Sequence, residues 1–121
     1  MELEFVKQGL KEFVLENYKT SVDQFSKALE KNPNCTEAFI CRASSYEKLG
    51  SYNLAIEDLD KAQAGENYSK FEFDILYARA KILINMNIFK PALEELNRAK
   101  EIENLTQENK SNLDKLIKIV A

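Results

Sequence analysis

The stretch Ala38-Phe39-x-x-Arg42-Ala43-x-x-Tyr46-x-x-Leu49-Gly50-x-Tyr52-x-x-Ala55-Ile56-x-Asp58-Leu59-x-x-Ala62 sets small and large apolar residues at three- and four-residue spacings, interrupted at Gly50. That pattern is two helices joined by a tight turn. It also recurs along the chain. A shift of 34 residues lays Tyr18 on Tyr52, Ser21 on Ala55, Phe25 on Leu59 and Ala28 on Ala62. A shift of 37 lays Arg42-Ala43 on Arg79-Ala80, Tyr52 on Phe89, Ala55 on Ala92, Leu59 on Leu96 and Ala62 on Ala99. Because the second shift is uniform, its three extra residues belong to the junction 64–70, where they lengthen a turn and spare the helices. Internal repetition at this period is the mark of a stacked helical array.

Apolar periodicity places first helices at about 3–15, 36–48 and 70–86 and second helices at about 18–31, 52–64 and 89–102. Asn17 and Ser51 are expected to cap second helices, and Ser69-Lys70-Phe71-Glu72 fits a capping box for the longest first helix. Pro33 and Gly50 fall in connections. Thr106 to Ala121 leaves the repeat but keeps Leu113, Leu116, Ile117 and Val120 at helical spacing, as a closing helix would. The chain is thus read as one all-α domain, 1–121, with repeats at about 2–35, 36–69 and 70–104 and a capping helix at about 106–120.

Composition narrows the function. In 121 residues, 17 basic and 20 acidic side chains leave a formal charge of −3, which offers no broad field for a nucleic-acid backbone. The absence of His removes the commonest general base and zinc ligand. No apolar run approaches the length of a membrane span, and the acidic start Met1-Glu2-Leu3-Glu4 is unlike a secretory signal. Cys35 and Cys41, six apart, match neither a redox nor a zinc spacing, so two free thiols in a cytoplasmic (or nuclear) protein are expected. Neither a metal nor a cofactor is expected. Glu94 with Glu95, and Asp58 with Asp60, are carboxylates close in sequence, but such runs on helices are ordinarily solvated and no nucleophile, base and orienting group converge on them. An enzyme is not expected.

The helix pair with small residues at its crossing points resembles the tetratricopeptide repeat. The second copy carries the resemblance best; the first supplies Gly9, Tyr18, Phe25, Ala28 and Pro33, and the third Ala80, Phe89, Ala92, Leu96 and Ala99. The resemblance spans about residues 2–104. It implies three helix-turn-helix repeats plus the capping helix, seven helices in a right-handed superhelical α-solenoid. It also implies a concave groove, lined by the first helix of each repeat, that binds a peptide or helix of a partner protein. An adaptor or co-chaperone domain is the implied role.

The frame of the first helix bears on that groove. Gly9 in its motif place would set polar Gln8 and Glu12 at core positions. A frame displaced by one residue buries Val6, Leu10 and Phe13 instead and turns Lys7, Lys11 and Gln8 outward; at about 1.5–3 kcal/mol per large side chain, that burial favours the displaced frame. The groove is then expected to carry Lys7, Lys11, Cys41, Ser44, Lys48, Tyr77, Lys81 and Asn85. Its lysines would favour an acidic segment or a C-terminal carboxylate. Many co-chaperones of this type hold the Glu-Glu-Val-Asp terminus of heat-shock chaperones in a two-carboxylate clamp of Lys and Asn from the first helix, Asn from the third, and Lys and Arg from the fifth. In the motif frame those places hold Val6, Leu10, Cys41, Asp74 and Ala78, and in the displaced frame only one lysine is restored. The resemblance therefore implies a domain of this kind without the usual clamp. A structural scaffold that self-associates through Phe5, Phe71 and Phe73 is the competing role, with a monomer the expected state.

Overall fold

The apolar spacings produce the helices they announce. The computed structural model describes residues 1–65 and 67–121. Its seven α-helices among the described residues are α1 (Glu2–Val14), α2 (Tyr18–Lys31), α3 (Thr36–Lys48), α4 (Tyr52–Gln63), α5 (Glu72–Asn85), α6 (Phe89–Lys100) and α7 (Gln107–Val120). The chain divides into two compact units, Met1–Tyr68 and Ser69–Ala121, so the division falls at the lengthened junction between the second and third repeats.

In the first unit α1 packs on α2, α2 on α3, and α3 on α4. Small residues set the crossings: Ala28, Ala38, Ala43 and Ala55 are fully buried, and the side chains that fill the space beside them include Phe25 and Leu59, also fully buried. Backbones approach where there is only a methyl group, and the large residues restore interior density around the contact. The α2–α3 seam includes a fully buried polar pair. The Ser21 hydroxyl donates to Ser45 Oγ at 2.7 Å, the Ser45 hydroxyl lies 3.2 Å from the Cys41 carbonyl, and both serines are fully buried. In the second unit α5 packs on α6 and α6 on α7. Its core is Leu76, Ala80, Leu96, Ala99 and Leu113, with Leu116, Ile117 and Val120 of the closing helix against it.

The turn inside each repeat is the same device three times. The amides of Asn17, Ser51 and Ile88 donate to the carbonyls of Glu12, Tyr46 and Leu83, and the residue before each donor has positive φ: Glu16 at 65°, Gly50 at 78° and Asn87 at 62°. This left-handed closure satisfies helix-end carbonyls that would otherwise lack donors.

Helix starts depart from expectation. Asn17 and Ser51 occupy the positions before α2 and α4, but neither side chain caps the helix; Asn17 donates instead to the Glu12 carboxylate at 2.9 Å. The expected capping box at Ser69–Glu72 does not form. A single 3-10 turn takes Tyr68–Phe71, which leaves Phe71 at the cap position and starts α5 at Glu72. In the junction 64–70, residues 64 and 65 turn away from α4 and residue 67 leads into that 3-10 segment; Glu66 lies outside the described residues. Only Thr106 makes a side-chain cap among the described residues, accepting from the Asn109 amide at 3.0 Å.

Candidate functional site

The frame of α1 decides which residues can face a partner. Gly9 is buried, and a Cβ placed on it would stand 2.5 Å from the Phe25 ring. Glycine is there because the ring occupies the space of its side chain. Of the three large side chains that the displaced frame would bury, Val6 is buried, Phe13 is half-buried edge-on to Tyr18, and Leu10 stays 42% exposed. Gly9 thus keeps its motif place and Leu10 stays outside, which corrects the displaced frame, although Val6 is buried as that frame expects and Gln8, a core position in the motif frame, is exposed. Counting burial along α1 alone overlooked the aromatic ring that Gly9 must admit.

With that frame the expected site residues sort by unit. In the first unit Lys7, Lys11 and Lys48 are exposed, and Ser44 and Cys41 are half-buried. Cys41 packs against the cluster of Val6, Phe25, Ala28 and Ala38, and the Ser44 hydroxyl donates to the Ile40 carbonyl at 3.3 Å. In repeat register Lys11 corresponds to Ser45, the residue that faces α2. Lys11 accordingly lies toward the open N-terminal side of α1, and the counterparts of Ser44 and Lys48 on this helix are Leu10 and Val14. In the second unit Phe73 and Tyr77 stack with centroids 5.4 Å apart and planes 14° apart, and Lys81 Nζ sits 5.2 Å above the Tyr77 ring. Asn85 is exposed at the end of the same helix.

Three surface leucine and valine positions escape a reading that takes apolar residues as core. Leu3 is 57% exposed and Val14 79%, beside Leu10. The repeat register was the signal that could have found them: Leu3, Leu10 and Val14 align with Glu37, Ser44 and Lys48 and with Asp74, Lys81 and Asn85. By contrast, the aromatic residues proposed for self-association are half-buried. Phe5 and Phe73 pack on the two cores, and Lys70 lies over the Phe71 ring.

The acidic pairs are corrected as well. Asp60 and Glu94 are exposed, but Asp58 is 2% exposed and Glu95 7%. Arg42 grips Asp58 through two parallel bonds, Nε to Oδ2 at 2.8 Å and Nη2 to Oδ1 at 2.7 Å, and reaches Ser26 Oγ with Nη1 at 3.0 Å. The Asp58 carboxylate holds the Arg42 guanidinium above its already high ordinary range. One repeat later Arg79 donates to Glu95 at 2.7 Å, and Arg98 reaches the other carboxylate oxygen at 3.2 Å. These carboxylates tie the two helices of a repeat together. The signal was the same arginine-to-acid spacing in both copies, which in the first copy is Gln8 and Gln24.

No described helix is long and apolar enough to cross a membrane, and no group of three or more acidic or cysteine side chains that could hold a metal comes together among the described residues. No family model matches the sequence. Solved structures do match the fold. The TPR2B domain of yeast Sti1, in a complex with pHsp70, superposes with a TM-score of 0.85 at 22% identity, covering 97% of this chain and 93% of that one. The first repeat domain of Spaghetti (RPAP3), bound to the HSP90 peptide SRMEEVD, gives 0.81 at 21% identity, covering 98% and 91%. The Yersinia enterocolitica type III secretion chaperone SycD, in complex with a peptide of the translocator YopD, gives 0.84 at 14%, covering 97% and 89%. With three like helix pairs, their small-residue crossings and a closing helix, the fold of this chain is that of a tetratricopeptide repeat domain.

Proposed function

We propose that the chain is a protein–protein interaction module of adaptor or co-chaperone type, which holds a peptide or helix of a partner against the exposed faces of its first helices. The observation that carries the reading is the fold shared with three domains solved with peptide or chaperone partners. On α3, Ser44 and Lys48 are the groups offered, with Cys41 beneath them; on α5 they are Tyr77, Lys81 and Asn85. Lys7 and Lys11 form a basic rim on α1. The work is binding without catalysis, metal or cofactor, by a cytoplasmic monomer.

The clamp places hold Val6, Leu10, Cys41, Asp74 and Ala78, and Val6 and Ala78 are buried. A chaperone tail is consequently held weakly, and the preferred partner is recognised by other chemistry. The test is an array of 15-residue peptides covering acidic tails and amphipathic helices, with the strongest binder mapped by amide chemical shifts on the 121-residue chain. Shifts at Ser44 and Lys48, or at Tyr77, Lys81 and Asn85, are expected. A best binder that maps to the outer faces of α2, α4 and α6, or no binder tighter than about 1 mM, overturns the proposal. The scaffold role would rest on Phe5, Phe71 and Phe73, which are half-buried; sedimentation equilibrium that fits 13.9 kDa throughout a concentration series removes it.

A further inference from the structure

We infer that α1 is a docking surface for an acidic amphipathic helix of a partner protein, received on Leu3, Leu10 and Val14 and flanked by Lys7 and Lys11. The inference rests on the interaction-module reading and names the partner class at one of its faces.

The argument begins with the repeat. At the places of Leu3, Leu10 and Val14 the other two repeats carry Glu37, Ser44 and Lys48 and Asp74, Lys81 and Asn85, so the fold does not require apolar side chains there. At about 100° per residue, Leu3, Leu10 and Val14 lie within about 40° of one another and form a single exposed stripe. Leu3, Val6, Leu10 and Phe13 also keep the 3-4 spacing of a helix-packing seam. Val6 and Phe13 are turned inward, one buried and one half-buried, while Leu3 and Leu10 remain outside at 57% and 42% exposure. Half of the seam is thus used within the chain, and the other half is presented.

Charge decides the occupant. Lys7 and Lys11 stand one helical turn apart on the stripe's outer edge, both exposed, and neither forms an ion pair among the described residues; exposed Glu4 shares the edge at its N-terminal end and leaves it with a net positive charge. A second copy docked through the same face would bring its own Lys7 and Lys11 against this edge, and like charges there oppose association. A helix with leucine-type residues every third and fourth position, bordered by Glu or Asp, buries the stripe and neutralises both lysines. Helix-in-groove recognition of this kind is read through such anchors.

The test uses the full chain and a blocked, fluorescein-labelled 15-residue peptide with Leu at the seam positions and Glu on both flanks, followed by fluorescence anisotropy. Leu10→Asp and Val14→Asp are each expected to weaken binding at least 10-fold. Lys7→Glu with Lys11→Glu is expected to weaken it at least 5-fold and to flatten its salt dependence. Asp23→Ala on α2 serves as the control and leaves affinity within 2-fold. A circular-dichroism melt confirms folding, and Val14, the more exposed position, keeps the test valid if Leu10→Asp perturbs the fold. Equal binding to the wild type and the Asp variants, equal binding of a probe with Lys in place of Glu, or a dimer abolished by Leu10→Asp each overturns the inference. If the array yields a binder at Ser44 and Lys48 while this probe ignores the Asp variants, the α1 inference falls and the general function stands.

Discussion

Asp58→Ala should be among the most damaging single changes in the first unit. The carboxylate is 3% exposed and receives two charge-assisted bonds from Arg42, whose side chain is itself 17% exposed. Removing it leaves a mostly buried guanidinium with the Ser26 bond and the faces of the Phe39 and Tyr46 rings but no counter-charge. Breaking a buried pair from one side costs about 3–5 kcal/mol, against a total of about 5–15 kcal/mol for a domain. Arg42 cannot escape the cost by losing its proton, because guanidinium stays charged in proteins. At about 4 °C per kcal/mol for a chain of this size, the melting point should fall by roughly 15 °C. Urea unfolding followed by circular dichroism measures the loss, and a cycle with Arg42→Met and Asp58→Leu separates the pair from its surroundings. The double variant should lie within about 1 kcal/mol of the wild type or above it, since well-packed apolar residues often replace a buried pair without loss. A loss below about 1 kcal/mol for Asp58→Ala, or a coupling energy near zero in the cycle, would refute the reasoning.

Other outcomes test the remaining structure. Gly9→Ala should cost about 1–3 kcal/mol, because its methyl group meets the Phe25 ring, while Leu10→Ala should cost under about 1; denaturation curves in the reverse order would restore the displaced frame. Glu16 adopts the left-handed conformation that Gly50 supplies in the next repeat, so Glu16→Gly should stabilise the chain by about 0.5–1 kcal/mol and Gly50→Ala should destabilise it by about 1, read from melting curves. Burial, with Glu2 adding to it, pushes the Cys35 thiol up, and its thiolate is correspondingly scarce near pH 8. In a Cys41→Ser background iodoacetamide should therefore modify Cys35 more slowly in the native chain than in urea, and Glu2→Gln should speed the native reaction; equal native and unfolded rates would contradict this.

The helices and repeats were legible because periodicity and self-similarity are local. Ala43, Ala55, Ala80 and Ala92 mark crossings in any sequence of this kind, and Phe25, Leu59 and Leu96 must fill the space around them. What stayed hidden depended on neighbours from another helix. Gly9 is intelligible only with the Phe25 ring present, and Asp58 resembles a solvated carboxylate until Arg42 is placed beside it from 16 residues away. Ser69 had the chemistry of a cap, but the 3-10 turn at Tyr68–Phe71 shifted the start of α5 past its reach. For the candidate site, the exposure of Lys48 and Asn85 could be read from their helical places, whereas Cys41, Ser44, Tyr77 and Lys81 are half-buried. The apolar stripe of α1 was legible only through the repeat register, since a lone helix does not reveal which half of its seam the chain itself covers.

The Ser21–Ser45 bond sets the order in which the first two repeats can stand. Ser45 belongs to the second copy, but its buried hydroxyl is matched by a group that only the first copy carries, because the counterpart of Ser21 in the second copy is Ala55. Were the second copy duplicated in tandem, the new Ser45 would face a methyl group and keep only the Cys41 carbonyl of its own helix. The two modules are thus not interchangeable: each is fitted to its place in line.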